Sequence, residues 1–146
     1  MSKTFPTRRR YRQAALEARE ALLPFVSRRP GRPQADYWQM PAAHPDYAAD
    51  CAYGRECGAH LVQWLKDNPG YRAQSLLARI SRDIDFRKPE QRGFRVGFFN
   101  YLEAMLTLAA RKVDVFEHVD ELHRQQQAQI KRKNMENRSV RKIEKK

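Results

Sequence analysis

Positive charge is gathered at the two ends of this 146-residue chain, and that placement limits which segments can share a core. Residues 1–33 hold nine basic side chains, Lys3, Arg8, Arg9, Arg10, Arg12, Arg19, Arg28, Arg29 and Arg32, against Glu17 and Glu20, a net of +7. Residues 124–146 hold another nine, Arg124, Lys131, Arg132, Lys133, Arg138, Arg141, Lys142, Lys145 and Lys146, against Glu136 and Glu144, again a net of +7. The middle, 34–123, carries eleven basic and thirteen acidic residues. Like charges repel on approach, so neither end compacts readily on itself. The expected organisation is therefore a basic N-terminal arm with an amphipathic helix over 1–33, a helical core over 34–123 and a basic tail over 124–146.

The apolar pattern of the chain has a helical period. Thr7 after Pro6 is a plausible N-cap for a helix over 7–23, with Ala15, Leu16, Ala18, Leu22 and Leu23 on one side, and Pro24 ends it. Pro30, Pro33, Pro41 and Pro45 with Gly31 then mark an extended loop over 28–45. Tyr37, Trp38 and Met40 lie inside that loop, where they either fasten it to the core or present a stacking platform for bases. Asp46 caps a helix over 46–67, whose stripe Tyr47, Cys51, Gly54, Gly58, Leu61, Leu65 follows one helical face. Asn68-Pro69-Gly70 makes a turn.

A helix over 71–84 turns Leu76, Leu77, Ile80 and Ile84 inward, and Asp85 to Pro89 breaks it. The most apolar helix follows at 90–112, with Phe94, Phe98, Tyr101, Leu102, Met105 and Leu108; Gly93 and Gly97 leave a short extended segment over 92–99 in competition with its first turns. Asp114 caps a last helix, where Val115, Phe116, Val119, Leu122 and Ile130 keep the period while the stripe thins after 123. The pattern predicts an all-α single domain of four to five helices built around Leu61, Trp64, Leu77, Ile80, Phe94, Phe98, Leu102 and Met105. Gly54/Gly58 and Gly93/Gly97 share a small-xxx-small spacing, which suits close packing between the two helices that carry them or, alternatively, a homo-oligomer face.

Other chemistry is thinly represented. No apolar run approaches the roughly 18 residues of a membrane span, and two cysteines exclude a disulfide scaffold and suit a reducing, cytoplasmic setting. The Arg-rich, acid-poor residues 1–16 resemble an organellar transit peptide, a pattern that Glu17 and Glu20 interrupt. Cys51, Cys57 and His60 lack the paired spacing of a metal site. His118, Asp120, Glu121 and His123 sit as ordinary helix neighbours rather than in a strand-turn-helix context that would support catalysis. Neither a phosphate-cradling Gly-rich loop nor an HExxH pattern is present. The expectation is no enzyme, no cofactor and no metal.

The run Ser27-Arg28-Arg29-Pro30-Gly31-Arg32-Pro33 resembles an AT-hook, although Pro30 stands where that motif has an arginine. The resemblance implies an extended backbone lying in an A·T-rich minor groove. A helix-turn-helix over the segments flanking 85–89 would place Gln91, Arg92 and Arg95 toward bases, but the second of those helices is too apolar to be exposed.

Charge at both ends points to nucleic acid, DNA or RNA, gripped non-catalytically by Arg8, Arg9, Arg10, Arg12, Arg28, Arg29, Arg32, Lys131, Arg132, Lys133, Arg138, Arg141 and Lys142 in an accessory or regulatory role. The alternative is an adaptor or inhibitor whose basic surface docks on an acidic protein partner.

Overall fold

The structure is a computed structural model that describes residues 4–11, 23–28, 30–31, 33–69 and 75–143. Among the described residues there are four α-helices and no strand: α1 over Tyr47–Asp67, α2 over Leu76–Asp83, α3 over Arg92–Ala110 and α4 over Val115–Ile143. A 3-10 turn, Pro89–Gln91, leads into α3. The protein is all-α, as its apolar period requires. It divides into two units, Met1–Met105 and Leu106–Lys146.

In the first unit, α1 begins where Pro45 forbids an earlier start and the Asp46 carboxylate accepts a hydrogen bond from the Ala48 amide at 3.0 Å. Within α1, Gly54 and Gly58 face α3. A Cβ on Gly54 would overlap the Phe94 carbonyl, and one on Gly97 would overlap the carbonyl of Cys51. The two helices thus meet backbone to backbone, which only glycine permits. That contact keeps 92–99 helical despite its two glycines, since propensity near 1 kcal/mol per glycine is small beside the packing it allows.

Phe98 sits at the centre of the core, with Trp38 edge-on at 5.2 Å and Phe25 edge-on at 5.6 Å. Phe94, Leu61, Trp64, Cys57, Ile80, Leu76 and Ile84 complete the helical side of the cluster. Its other wall is the segment 23–40, which supplies Leu23, Phe25, Val26, Tyr37, Trp38 and Met40. That segment doubles back on itself: Ser27 and Asp36 exchange two backbone hydrogen bonds at 2.9 and 2.8 Å. The Tyr37 amide ties it to α2 by donating to Asp83 Oδ2 at 2.9 Å. The aromatics of the loop are therefore fasteners, and Tyr37 and Trp38, at 7% and 5% exposure, have no face free to stack on a base.

Four sequence expectations are corrected. Thr7–Tyr11 is not helical; the remainder of the expected 7–23 helix up to residue 22 lies outside the described residues. The 71–84 helix starts at Leu76, with Tyr71 to Gln74 outside the described residues. Leu77 is 51% exposed rather than buried, because an eight-residue helix buries one narrow stripe and Leu76–Ile80 occupies it. Of the α3 stripe, Leu102 and Met105 are only half-buried and Leu108 is exposed, so burial ends well before residue 123.

In the second unit the Asp114 carboxylate accepts from the Glu117 amide at 3.0 Å and starts α4 as a capped helix. Every described side chain from Leu106 to Arg141 is exposed. Strong helix formers carry α4 through the basic region to Ile143.

Candidate nucleic-acid interface

The basic residues fall into three groups with different surroundings. The first is the N-terminal segment 4–11, which lies along α1. Arg8 forms a two-nitrogen ion pair with Glu56. Arg10 Nη1 donates to Asp67 Oδ1 at 3.1 Å, and the Tyr11 amide donates to the other oxygen of the same carboxylate at 3.1 Å. Asn68 Nδ2 donates to the Tyr11 carbonyl at 3.4 Å and the Trp64 carbonyl at 2.8 Å. Tyr11 itself is fully buried, with its hydroxyl 2.5 Å from His60 Nδ1. This segment was expected to stand free of the body. Two of its arginines instead share carboxylates with α1, which sequence separation of 48 and 57 residues hides from any local pattern.

The electrostatics of that contact follow from its geometry. The hydrogen bond from Arg8 holds the Glu56 carboxyl below its ordinary pKa. Burial pushes the Tyr11 hydroxyl up to about 12 and pushes His60 down. At neutral pH Tyr11 therefore keeps its proton and the imidazole beside it is neutral. A cleft of about 310 Å³ adjoins the pair, lined by Arg8, Arg9, Glu56, His60, Lys66 and Tyr101 among others. Arg9 stands 6.0 Å from the Tyr11 ring centroid. An uncharged Tyr–His pair beside a satisfied ion pair reads as a structural clasp.

The second group is a cleft of about 270 Å³ between the 28–37 loop and α2, where Arg28, Arg79 and Arg82 converge with Gln34 and Tyr37. Arg79 Nη1 donates to the Tyr37 hydroxyl at 3.2 Å and its guanidinium lies 5.8 Å from the ring centroid. Arg82 pairs with Asp83 at 2.9 Å. Burial would raise the Asp83 pKa, but hydrogen bonds from Arg82 and the Tyr37 amide outweigh it and keep the carboxylate ionised. Arg79 and Arg82 were not singled out in the sequence, where they are two basic residues of a mixed-charge helix. Only the fold brings them to Arg28. Of the AT-hook-like run, Arg29 and Arg32 lie outside the described residues. The implied extended backbone is not seen at Gly31, which turns with φ of +79° inside the closed Ser27–Asp36 loop.

The third group is α4. Lys131, Arg132, Lys133, Arg138 and Arg141 are all exposed, and among the described residues none is held in an ion pair. Arg124 pairs with Glu121 at 2.7 Å. Arg124, Lys131 and Arg138 recur every seven residues on one side of the helix, at steps of roughly 10 Å along its axis. Lys142 falls within the last turn of the helix, and Arg12 lies outside the described residues. Arg95, considered above as a base contact, donates instead to the carbonyls of Asp85 and Lys88 at 3.2 and 2.8 Å and closes the turn before α3.

Among the described residues no group of histidines, cysteines and carboxylates is placed to hold a metal ion, and Cys51 and Cys57 are not bonded to each other. Among them, too, no helix is long and apolar enough to cross a membrane. Comparison with family models, curated proteins and solved structures finds no match for this chain.

Proposed function

We propose that the protein binds nucleic acid without acting on it chemically, and that α4 is its main grip on the phosphate backbone. The observation that carries this reading is the exposed cationic surface of α4, where Arg124, Lys131 and Arg138 align along one side and Lys131, Arg132, Lys133, Arg138 and Arg141 have no acidic partner among the described residues. Lysine and arginine in that state release counterions when they meet phosphate. The Arg28–Arg79–Arg82 cleft is a secondary contact, in which Arg82 is paired with Asp83. Arg8 and Arg10 contribute less, because a phosphate has to compete with Glu56 and Asp67 for them.

Such binding is sequence-tolerant and strongly salt-dependent. On duplex DNA each neutralised phosphate adds about 0.9 to the slope of log affinity against log salt. Replacing Lys131, Arg132 and Arg138 together by glutamine reduces that slope by about 2 to 3 and weakens binding equally across sequences, as read in an electrophoretic shift assay with DNA and RNA over a salt series. An unchanged slope contradicts the proposal. The second reading, an adaptor that docks its basic surface on an acidic protein, draws on the exposed apolar residues of α4, Phe116 above all at 81% exposure. A protein complex that survives nuclease and high salt selects it.

A further inference from the structure

The cleft of about 310 Å³ beside the Tyr11–His60 pair is built by the first unit alone, from the N-terminal segment, α1 and α3. Its volume falls at the lower end of small-molecule sites. Glu56, Ala59, His60, Gln63 and Lys66 follow one face of α1 and line it together. Ala59, Val62, Tyr101 and Met105 give it a half-buried apolar side, and Arg8, Arg9 and Lys66 bring three cations. Among the described lining residues Glu56 is the sole carboxylate, and Arg8 occupies it. Arg9 and Lys66 make no ion pair among the described residues. The cleft therefore keeps two uncompensated positive charges beside an apolar wall. The charge of Arg9 also acts to lower the pKa of both Tyr11 and His60, which places it next to that pair. His60 adds a further mark. Its ring lines the cleft at 4% exposure, with Nδ1 taken by Tyr11 and Nε2 buried without a hydrogen bond. The Pro6 backbone favours the protonated ring but closes no bond to Nε2. Folded chains rarely leave such an atom unpaired.

We propose that this cleft binds a small phosphate monoester whose organic group is flat and weakly polar. A monoester is close to dianionic at neutral pH, which matches the charges of Arg9 and Lys66. A carboxylate, or the phosphodiester of a nucleic-acid backbone, carries one charge and leaves one of the two cations unmatched. The Arg9 fork suits two phosphate oxygens, and Lys66 adds a point charge. A third oxygen is the partner that His60 Nε2 lacks. That contact requires the ring proton on Nε2, with the Tyr11 hydroxyl donating to Nδ1. The organic group lies against the Tyr101 ring and Met105, whose sulfur is a good neighbour for a ring edge. The site is separate from α4 and stands or falls independently of nucleic-acid binding.

The test is isothermal titration calorimetry of phenyl phosphate into full-length protein stripped of nucleic acid by nuclease and high salt, with nitrogen NMR of the histidine rings. The expected result is saturable binding at one site, with benzoate and inorganic phosphate each weaker by about ten-fold or more. Phenyl phosphate shifts the His60 Nε2 resonance. Arg9→Gln and Lys66→Gln, at exposed positions where the fold is retained, each weaken phenyl phosphate by about ten-fold. Lys112→Gln, an exposed cation of the second unit, leaves its affinity unchanged. Absence of saturable binding overturns the proposal, as does equal affinity for benzoate or inorganic phosphate. So does parent-like affinity in both Arg9→Gln and Lys66→Gln, an equal loss in Lys112→Gln, or a His60 Nε2 resonance that does not move.

Discussion

At the scale of single residues, the most demanding positions are glycines and a buried tyrosine. A methyl group at Gly54 meets the backbone of Phe94, which cannot rotate away. Gly54→Ala is expected to cost about 3 kcal/mol in chemical denaturation, the upper part of the range for overpacking. At Gly58 the added Cβ meets the Phe98 carbonyl and the Tyr101 ring at 3.1 Å, and the ring can shift. There the gain in helix propensity offsets the crowding, and Gly58→Ala stays within about 1 kcal/mol of the parent. Equal effects at the two positions would contradict the close helix contact.

Tyr11→Phe removes the hydroxyl that shares a hydrogen bond with His60 Nδ1 and leaves that buried nitrogen unpaired, at a cost of about 1–3 kcal/mol. His60 also sets a pH dependence. Burial lowers its folded pKa below the unfolded value of about 6.5, so the unfolded state binds the proton first as pH falls. Stability present above that value is lost below it, and melting temperature declines from pH 7 toward pH 5. Glu56 and Asp67, whose pKa values are held low, add a further loss only below about 4.5. In His60→Gln the decline between pH 7 and 5 is reduced while the one at lower pH remains; a parent-like profile in this variant refutes the assignment.

At the scale of elements, the caps and periods were readable in the sequence. Asp46 and Asp114 both cap where the pattern placed them, and the glycine spacing pointed to the α1–α3 contact that is found. What escaped was decided by long-range partners. Leu76 and Leu77 are adjacent and equally apolar, and only the depth of the neighbouring core selects the first. Segment 23–40 has no period, so its large share of the core could be anticipated only from Tyr37, Trp38 and Met40 as loop aromatics and methionine. Arg8 and Arg10 look like every other arginine of the basic run until Glu56 and Asp67 are brought beside them. The cleft of Arg28, Arg79 and Arg82 is likewise a product of the fold.

These differences make the two ends of the chain unequal. Removal of residues 1–11 takes away Tyr11 and the clasp on Asp67, and is expected to lower the melting temperature by several degrees or more. Removal of residues 131–146 takes away no buried side chain among the described residues and leaves the midpoint of the first unit unchanged. Circular dichroism melts of the two truncations check this; equal destabilisation by both would show that the basic end of α4 is structural.

At the scale of the whole molecule, the charge of +12 is divided between cations the fold has already neutralised and cations it leaves in water. The expected pair of free basic arms is thus revised to a clasped N-terminal segment, a small basic cleft and one long exposed helix. That asymmetry is the central claim, and the salt dependence of binding measures it directly. The slope of log affinity against log salt should fall by about 3 or more when residues 131–146 are removed, and by less than about 1 when Arg8 and Arg10 are replaced by glutamine. Equal losses from the two changes, or no dependence on salt in the intact protein, would contradict it.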